Sequence, residues 1–99
     1  MGTQQFTITQ DEKGAFLLKG ELTLLDLEYL QEFLDGTLAR VKRISLDMSG
    51  ITYADTASLQ LLIAFKKNVK QKNGCRIVAM SPELDHIVKI CGLKPFLMG

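Results

Sequence analysis

The chain has 99 residues and a mass of 11.0 kDa, a length that predicts a single domain spanning residues 1–99. Hydrophobic residues make up 46% of the sequence and charged residues 23%, which excludes disordered, collagen-like and coiled-coil compositions. Twelve basic and eleven acidic residues give a net charge of +1. The chain therefore lacks the broad positive field with which proteins hold nucleic acid or anionic lipid.

The sequence offers little for metal binding or for crossing a membrane. Two cysteines, Cys75 and Cys91, and one histidine are too few for a disulfide scaffold or a structural zinc site. The segment Met1–Phe6 has no leader character, and no apolar run approaches the ~18 residues of a membrane span. We expect a cytoplasmic domain with reduced thiols and no direct membrane insertion, while a membrane-bound partner stays open.

The first part of the chain predicts a β-hairpin followed by a helix. Short apolar runs at 6–8 and 15–18 flank a polar stretch that ends in Gly14, a residue suited to a hairpin turn. Thr23 can cap the helix that follows, and Gly36 is expected to break it. Four leucines fall at helical spacing in that segment: Leu27, Leu30, Leu34 and Leu38.

A strand and the strongest helix follow. Residues 43–48 alternate polar and apolar and are bounded by Ser49–Gly50, which predicts a strand that ends there. The segment from Asp55 to about Lys72 is predicted to be helical, with Asn73–Gly74 as its stop. Its apolar face consists of Leu59, Leu62, Phe65 and Val69.

The last part predicts a strand at 75–80 and a final helix. Ser81–Pro82 has the pattern of an N-cap followed by proline at the first helical position. Gly92 is expected to close the helix, and Pro95 to prevent a new one. Apolar positions expected to pack against the domain are Leu84, Ile87, Val88 and Cys91 in the helix, then Leu93, Phe96 and Leu97 in the tail.

This order of elements predicts an α/β fold of about four strands and three helices. After the hairpin, strands alternate with helices, and such alternation requires parallel neighbours joined by right-handed crossovers. Helix starts then follow the strand ends at 20–23, 49–55 and 80–82. Open α/β sheets carry their working surfaces at such loops, because the unpaired amides of helix N-termini meet there.

The middle loop is the most unusual of the three. Thr52–Ser58 places hydroxyl groups and a carboxylate around the start of a helix. The simplest interpretation is capping, in which Asp55 or Thr56 accepts hydrogen bonds from first-turn amides and contributes about 1 kcal/mol. The same capping is expected of Thr23 and Ser81. A phosphate would be attracted by the amides and repelled by Asp55.

Catalytic and cofactor signals are weak elsewhere in the chain. His86 lies three residues after Glu83 on a solvent-facing stretch, with no serine or cysteine to form a nucleophile pair. No glycine-rich phosphate cradle occurs, so no cofactor is expected. A basic end on the second helix is interpreted as a solvated face, with partner contact as the alternative; it consists of Lys66, Lys67, Lys70 and Lys72.

The segment ISLDMSGITYADTASL at 44–59 resembles the signature of STAS domains, the anti-sigma factor antagonists and their relatives. Gly20–Leu22 looks like the G-E-L turn of that family, and residues 81–93 look like its last helix and G-L exit. The resemblance covers nearly the whole chain and implies the small STAS-like fold.

In the sporulation-type antagonists of this family, the partner kinase phosphorylates a serine two positions after the aspartate. The matching residue here is Ala57, so the resemblance implies a D-T-A variant without the usual phosphoacceptor, and Thr56 and Ser58 are the candidate phosphorylation sites. The variant is similar to STAS subunits of bacterial phospholipid-transporting ABC systems and to small STAS proteins of chemotaxis-type signalling. In those transporter subunits, the threonine matching Thr56 contacts the ATPase.

The resemblance and the residues together predict a non-catalytic regulatory module that binds a protein through Asp55, Thr56, Ala57 and Ser58. The first hypothesis is an antagonist whose partner is an anti-sigma factor with serine kinase activity. The second is an accessory subunit of a transporter ATPase or of a chemotaxis-type complex. A nucleotide- or lipid-binding module is the third and weakest, because the chain lacks a glycine cradle and a basic pocket.

Overall fold

A hairpin opens the chain, and helices then connect the remaining strands. The computed structural model describes residues 4–69 and 74–98. The elements are β1 (Phe6–Gln10), β2 (Phe16–Leu22), a 3-10 helix (Leu24–Asp26), α1 (Leu27–Leu38), β3 (Arg43–Ala54), α2 (Thr56–Val69), β4 (Gly74–Met80), α3 (Pro82–Ile90) and α4 (Lys94–Met98).

The four strands form one mixed sheet in the order β1-β2-β3-β4. Strands β1 and β2 pair antiparallel, whereas β2 with β3 and β3 with β4 pair parallel. Each parallel pair needs a crossover, which α1 and α2 supply. The α/β class, the hairpin and the parallel strands predicted from the sequence are confirmed.

One hydrophobic core joins the sheet to the helices. Along β3, Ile44, Leu46 and Met48 are fully buried, while their neighbours are more exposed, as expected for a strand with one covered face. The predicted apolar faces of the helices cover them, through the buried side chains of Leu30, Leu34, Leu59, Leu62, Phe65, Leu84 and Val88. Val69 was also predicted on the apolar face of α2, but its side chain and residues 70–73 lie outside the part of the chain that the structure describes.

Strand β3 is longer than the sequence pattern predicts. It continues through Ser49–Gly50 to Ala54, so the expected loop at 49–55 is reduced to Asp55. The pairing with β2 shifts register twice and then extends to Ala54 opposite Leu22. Gly50 permits this close passage, because a Cβ there would lie 2.6 Å from Cγ of Lys19.

The structure also corrects four expectations about the helices and the tail. α1 passes through Gly36, which faces open space, and ends at Leu38. Cys91 is exposed just after α3 and does not join the core. Pro95 lies inside the short helix α4, where a residue of the first turn needs no amide hydrogen bond, and Phe96 in the same helix is 61% exposed.

Gly20 is the glycine whose replacement we expect to cost most. Its φ is +113°, and a Cβ would lie 2.3 Å from the carbonyl oxygen of Gln5. Gly20→Ala should lower the free energy of unfolding by about 2–3 kcal/mol, through strain and a backbone clash. The matched control Gly36→Ala should raise it by about 0.5–1 kcal/mol, because the added methyl is free and the helix gains propensity. Urea denaturation followed by circular dichroism measures both, and equal effects would contradict this account.

Candidate functional site

The carboxylate of Asp55 joins two helix starts. β3 delivers the chain to this residue, whose own amide donates to the carbonyl of Leu22 at 3.0 Å. Its Oδ1 then accepts the amide of Ser58 at 2.9 Å, and its Oδ2 accepts the amide of Leu24 at 2.7 Å. One side chain therefore satisfies orphan amides in the first turn of α2 and of the 3-10 helix.

Thr23 does not cap the helix start that follows it. The predicted cap residue precedes the 3-10 helix, but its side chain makes no capping hydrogen bond, and its hydroxyl is buried with no partner among residues 4–69 and 74–98. The amide of Leu24 is bound by Asp55, at the end of the neighbouring strand, and the amide of Asp26 donates to the backbone carbonyl of Thr23. The expectation for Thr23 was wrong: a carboxylate from another strand end and a backbone hydrogen bond hold this helix start, and sequence spacing shows neither.

The environment of Asp55 favours its ionised form. Partial burial raises the pKa of this carboxyl, but hydrogen bonds from Ser58 and Leu24 outweigh it, so the pKa lies below the ordinary value of 3.8. Farther back along β3, hydrogen bonds from the hydroxyl and amide of Ser49 lower the pKa of Asp47 as well. At the site itself, Asp55 carries a negative charge at neutral pH.

The four predicted site residues differ sharply in exposure. Asp55 and Ala57 are half-buried, and Thr56 is exposed at the first position of α2. Ser58 is only 1% exposed, and its hydroxyl has no hydrogen-bond partner within the described chain. Thr56 is therefore the hydroxyl of this cluster that solvent or a partner can reach.

Exposed apolar side chains lie beside Thr56, and sequence reasoning missed them. Leu24 and Leu25 of the 3-10 helix are 65% and 82% exposed, and Tyr53 at the end of β3 is 45% exposed. The bridge from Asp55 to Leu24 places the two leucines next to the start of α2. The sequence does contain a signal for these residues: Leu24 and Leu25 do not fit the helical spacing of the buried leucines of α1.

Hydrogen bonds hold the 3-10 helix at both ends. At its first residue, the amide of Leu24 donates to Asp55. At its last residue, the carboxylate of Asp26 accepts a hydrogen bond of 2.7 Å from the amide of Gln5, just before β1. The amide of Asp26 itself donates to the carbonyl of Thr23 at 3.0 Å. The exposed leucines are thus presented from a fixed backbone and not from a free loop.

The third helix start is structural. The hydroxyl of Ser81 accepts the amide of Leu84 at 2.9 Å and donates to the carbonyl of Ile51, and the residue is buried. Proline follows at the first position of α3, which confirms the predicted cap. Ser81 presents no group to a partner.

The remaining chemistry is sparse. His86 and Glu83 are exposed on α3, as expected. Over residues 4–69 and 74–98, no three histidine, cysteine or acidic side chains group in a way that could hold a metal ion. Within the same ranges, none of the helices is both long and apolar enough to span a bilayer.

Comparison with known proteins places this geometry in a family. The family model described as "Mlab, STAS domain" matches residues 7–98. The chain belongs to this STAS family. A search of curated proteins found no significant match to the STAS chain.

Solved structures share the STAS fold of this chain. An anti-sigma factor antagonist from Mycobacterium paratuberculosis matches with a TM-score of 0.73 and 16% identity, over 93% of this chain and 80% of that one. The anti-sigma factor antagonist SpoIIAA in its unphosphorylated form matches with a TM-score of 0.68 and 15% identity, over 94% of this chain and 85% of that one. The Bacillus cell fate determinant SpoIIAA in its phosphorylated form matches with a TM-score of 0.63 and 15% identity, over 94% of this chain and 88% of that one.

Removing the carboxylate should uncouple the two helix starts. Asp55→Ala deletes a cap and a second charge-assisted hydrogen bond, so we expect the free energy of unfolding to fall by about 1–3 kcal/mol at about pH 7. Asp35, which is exposed within α1, supplies the control Asp35→Ala, which should not destabilise the domain.

The same variant predicts a pH dependence. Because the pKa of Asp55 is lower in the folded state, its contribution is present above the unfolded value and is lost as pH falls through the folded value. The stability gap between wild type and Asp55→Ala should therefore shrink below about pH 4. Chemical denaturation across pH measures the gap, and a gap independent of pH would contradict the bridge.

Proposed function

We propose that this single STAS domain is a non-catalytic regulatory module that docks a partner protein through the start of α2. One observation carries the proposal: Thr56 is exposed on a helix start held by Asp55 and flanked by the exposed side chains of Leu24, Leu25 and Tyr53. We call these four exposed residues the docking surface. It is a small apolar patch around a polar centre on a fixed backbone.

Such a surface suits protein recognition better than small-molecule chemistry. Aromatic and aliphatic anchors supply most of the affinity of an interface, and a rigid backbone lowers the entropic cost of binding. An exposed leucine such as Leu25 does not stabilise the isolated domain, because its side chain remains in water. Its position near Thr56 supports the proposal that a partner protein covers both residues.

A phosphorylation switch, if the domain has one, should act on Thr56. Ala57 has no hydroxyl, and the hydroxyl of Ser58 is enclosed by the domain. Phosphate on Thr56 would add roughly −1.5 to −2 charges next to the ionised Asp55 and within the apolar patch. Repulsion and desolvation would then weaken docking.

The partner in the first form of the proposal is an anti-sigma factor with serine kinase activity. The similar solved structures named above are anti-sigma factor antagonists, and they support this class. The second form is an accessory subunit of a phospholipid-transporting ABC system or of a chemotaxis-type complex. The missing hydroxyl at position 57 and the buried Ser58 favour a constitutive contact of this second kind.

Capture from lysate of the source organism with ATP separates the two forms. Mass spectrometry identifies the bound proteins and any phosphate on the domain. A soluble kinase together with phosphate on Thr56 establishes the antagonist form, whereas a membrane ATPase without phosphate establishes the transporter form. Capture of a chemotaxis-type signalling complex also supports the second form, and capture of none of these partners contradicts both forms.

A negative charge at position 56 should weaken capture. We expect Thr56→Glu to reduce retention of the identified partner by at least about ten-fold, because it places a carboxylate in the docking surface, next to that of Asp55. Thr9→Glu, on the exposed side of β1, is the matched control and should retain the partner. Wild-type retention by Thr56→Glu would exclude the helix start as the contact.

The apolar part of the docking surface can be tested separately. Leu25→Ser should leave the free energy of unfolding within about 0.5 kcal/mol of wild type, since the side chain is 82% exposed. It should weaken partner binding by about ten-fold if Leu25 is an anchor. Ile90→Ser, at a residue 71% exposed near the end of α3, is the control that loses an equal side chain elsewhere. Equal binding by the two variants would remove Leu25 from the interface.

A further inference from the structure

A second surface lies at the other end of α2. Strand β4 is last in the sheet, and its outer edge pairs with no other strand in the described part of the chain. Beside this edge, the end of α2 and the short α4 enclose an open groove of about 740 Å³. Its lining includes three basic residues and three apolar ones: Lys66, Lys67, Arg76, Val78, Phe96 and Met98.

The groove is positive although the chain as a whole is nearly neutral. Among the residues that the structure describes, its lining includes Lys66, Lys67 and Arg76 and no acidic residue, against a net charge of +1 for the whole protein. Burial raises the pKa of Cys75 in its wall to about 11, against an opposing effect of Lys66, so the thiol adds no negative charge. The groove therefore favours an anionic occupant.

The groove wall is ordered by a contact between helices. The ammonium group of Lys66 donates a hydrogen bond to the carbonyl of Leu97, which ties α4 to α2. Leu97 itself is buried in the core, while Phe96 and Met98 on either side of it are exposed. Two apolar side chains are thus held at the rim of a cationic groove.

The exposed side chains of β4 alternate in a way that suits another strand. Arg76 and Val78 are exposed, and Ile77 between them is buried. Residues two apart on a strand share a face. A cation and an apolar side chain therefore follow each other on one face of the edge strand, and their complement is an extended segment in which a carboxylate and an apolar side chain lie two residues apart.

We propose that this groove binds an extended acidic and apolar peptide segment of a partner protein, which adds to β4 as a further strand. Main-chain hydrogen bonds to the free edge would supply affinity, and the alternating side chains would supply specificity. Thr56 and Lys66 are separated by nearly three helical turns, about 15 Å. The groove and the docking surface can therefore be occupied separately, and the groove stands independently of the proposed function.

The test uses the isotope-labelled protein and synthetic peptides. The probe is a capped peptide of about eight residues in which glutamate and valine take turns along one face and threonine occupies the positions between them. NMR titration should show saturable amide shifts across 74–80 and 94–98, with Leu25 and Thr56 unmoved. A peptide with lysine in place of glutamate should bind at least about ten-fold more weakly. A version N-methylated at alternate backbone amides should lose binding to the same degree, because it cannot pair with a strand edge.

Charge-reversal variants test whether Lys67 and Arg76 attract the acidic peptide. The double variant Lys67→Glu with Arg76→Glu should weaken the glutamate peptide by at least about ten-fold and favour the lysine peptide. Lys13→Glu, in the exposed hairpin turn, carries a charge reversal away from the groove and should bind like wild type. Thermal unfolding checks that each variant is folded.

Several outcomes would overturn the proposal. Absence of saturable shifts with the glutamate peptide would do so, as would equal binding of the lysine peptide. Binding that is unaffected by N-methylation would exclude strand addition. Shifts at 74–80 with oleate micelles but not with the peptide would assign the groove to an anionic amphiphile instead.

Discussion

The carboxylate of Asp55 is the interaction on which the arrangement of the site depends. It accepts one amide from the 3-10 helix that follows β2 and another from α2, which follows β3. These two strands are neighbours in the sheet, so their carboxyl ends lie side by side. Without a shared acceptor, two helix starts would leave orphan amides at the same place. The bridge satisfies both and thereby fixes Leu25 and Thr56 relative to one another.

The arrangement that caps two helices is also the one on which the proposed docking surface rests. A carboxylate at a helix start is most often structural, and here it is structural on two helices at once. Because its lone pairs are directed at the protein backbone, the polar group left for a partner is the hydroxyl of Thr56. The apolar side chains around it belong to segments whose backbones are already ordered. Binding there would cost little conformational entropy.

The sequence predicted the hairpin, the parallel strands and the buried helix faces, since each depends on local periodicity and turn residues. It also named Asp55, Thr56, Ala57 and Ser58 as site residues, and their role stays a prediction. It missed the length of β3, because the close passage of Gly50 over β2 is a long-range contact. The helix start after Thr23 is likewise held by a long-range contact, the hydrogen bond from the amide of Leu24 to Asp55. The burial of Ser58 and the exposure of Leu25 likewise depend on packing that no spacing rule contains.

The shared acceptor also has a consequence for the dynamics of the domain. The amides of Leu24 and Ser58 are far apart in sequence but depend on the same side chain, so local opening that swings Asp55 away exposes both to solvent together. Their hydrogen-exchange rates should rise and fall in step, as if they belonged to one helix. A protein bound to the 3-10 helix would thus slow hydrogen exchange in α2 without contacting α2. Contact at the end of β2 would in this way change the local stability at the end of β3.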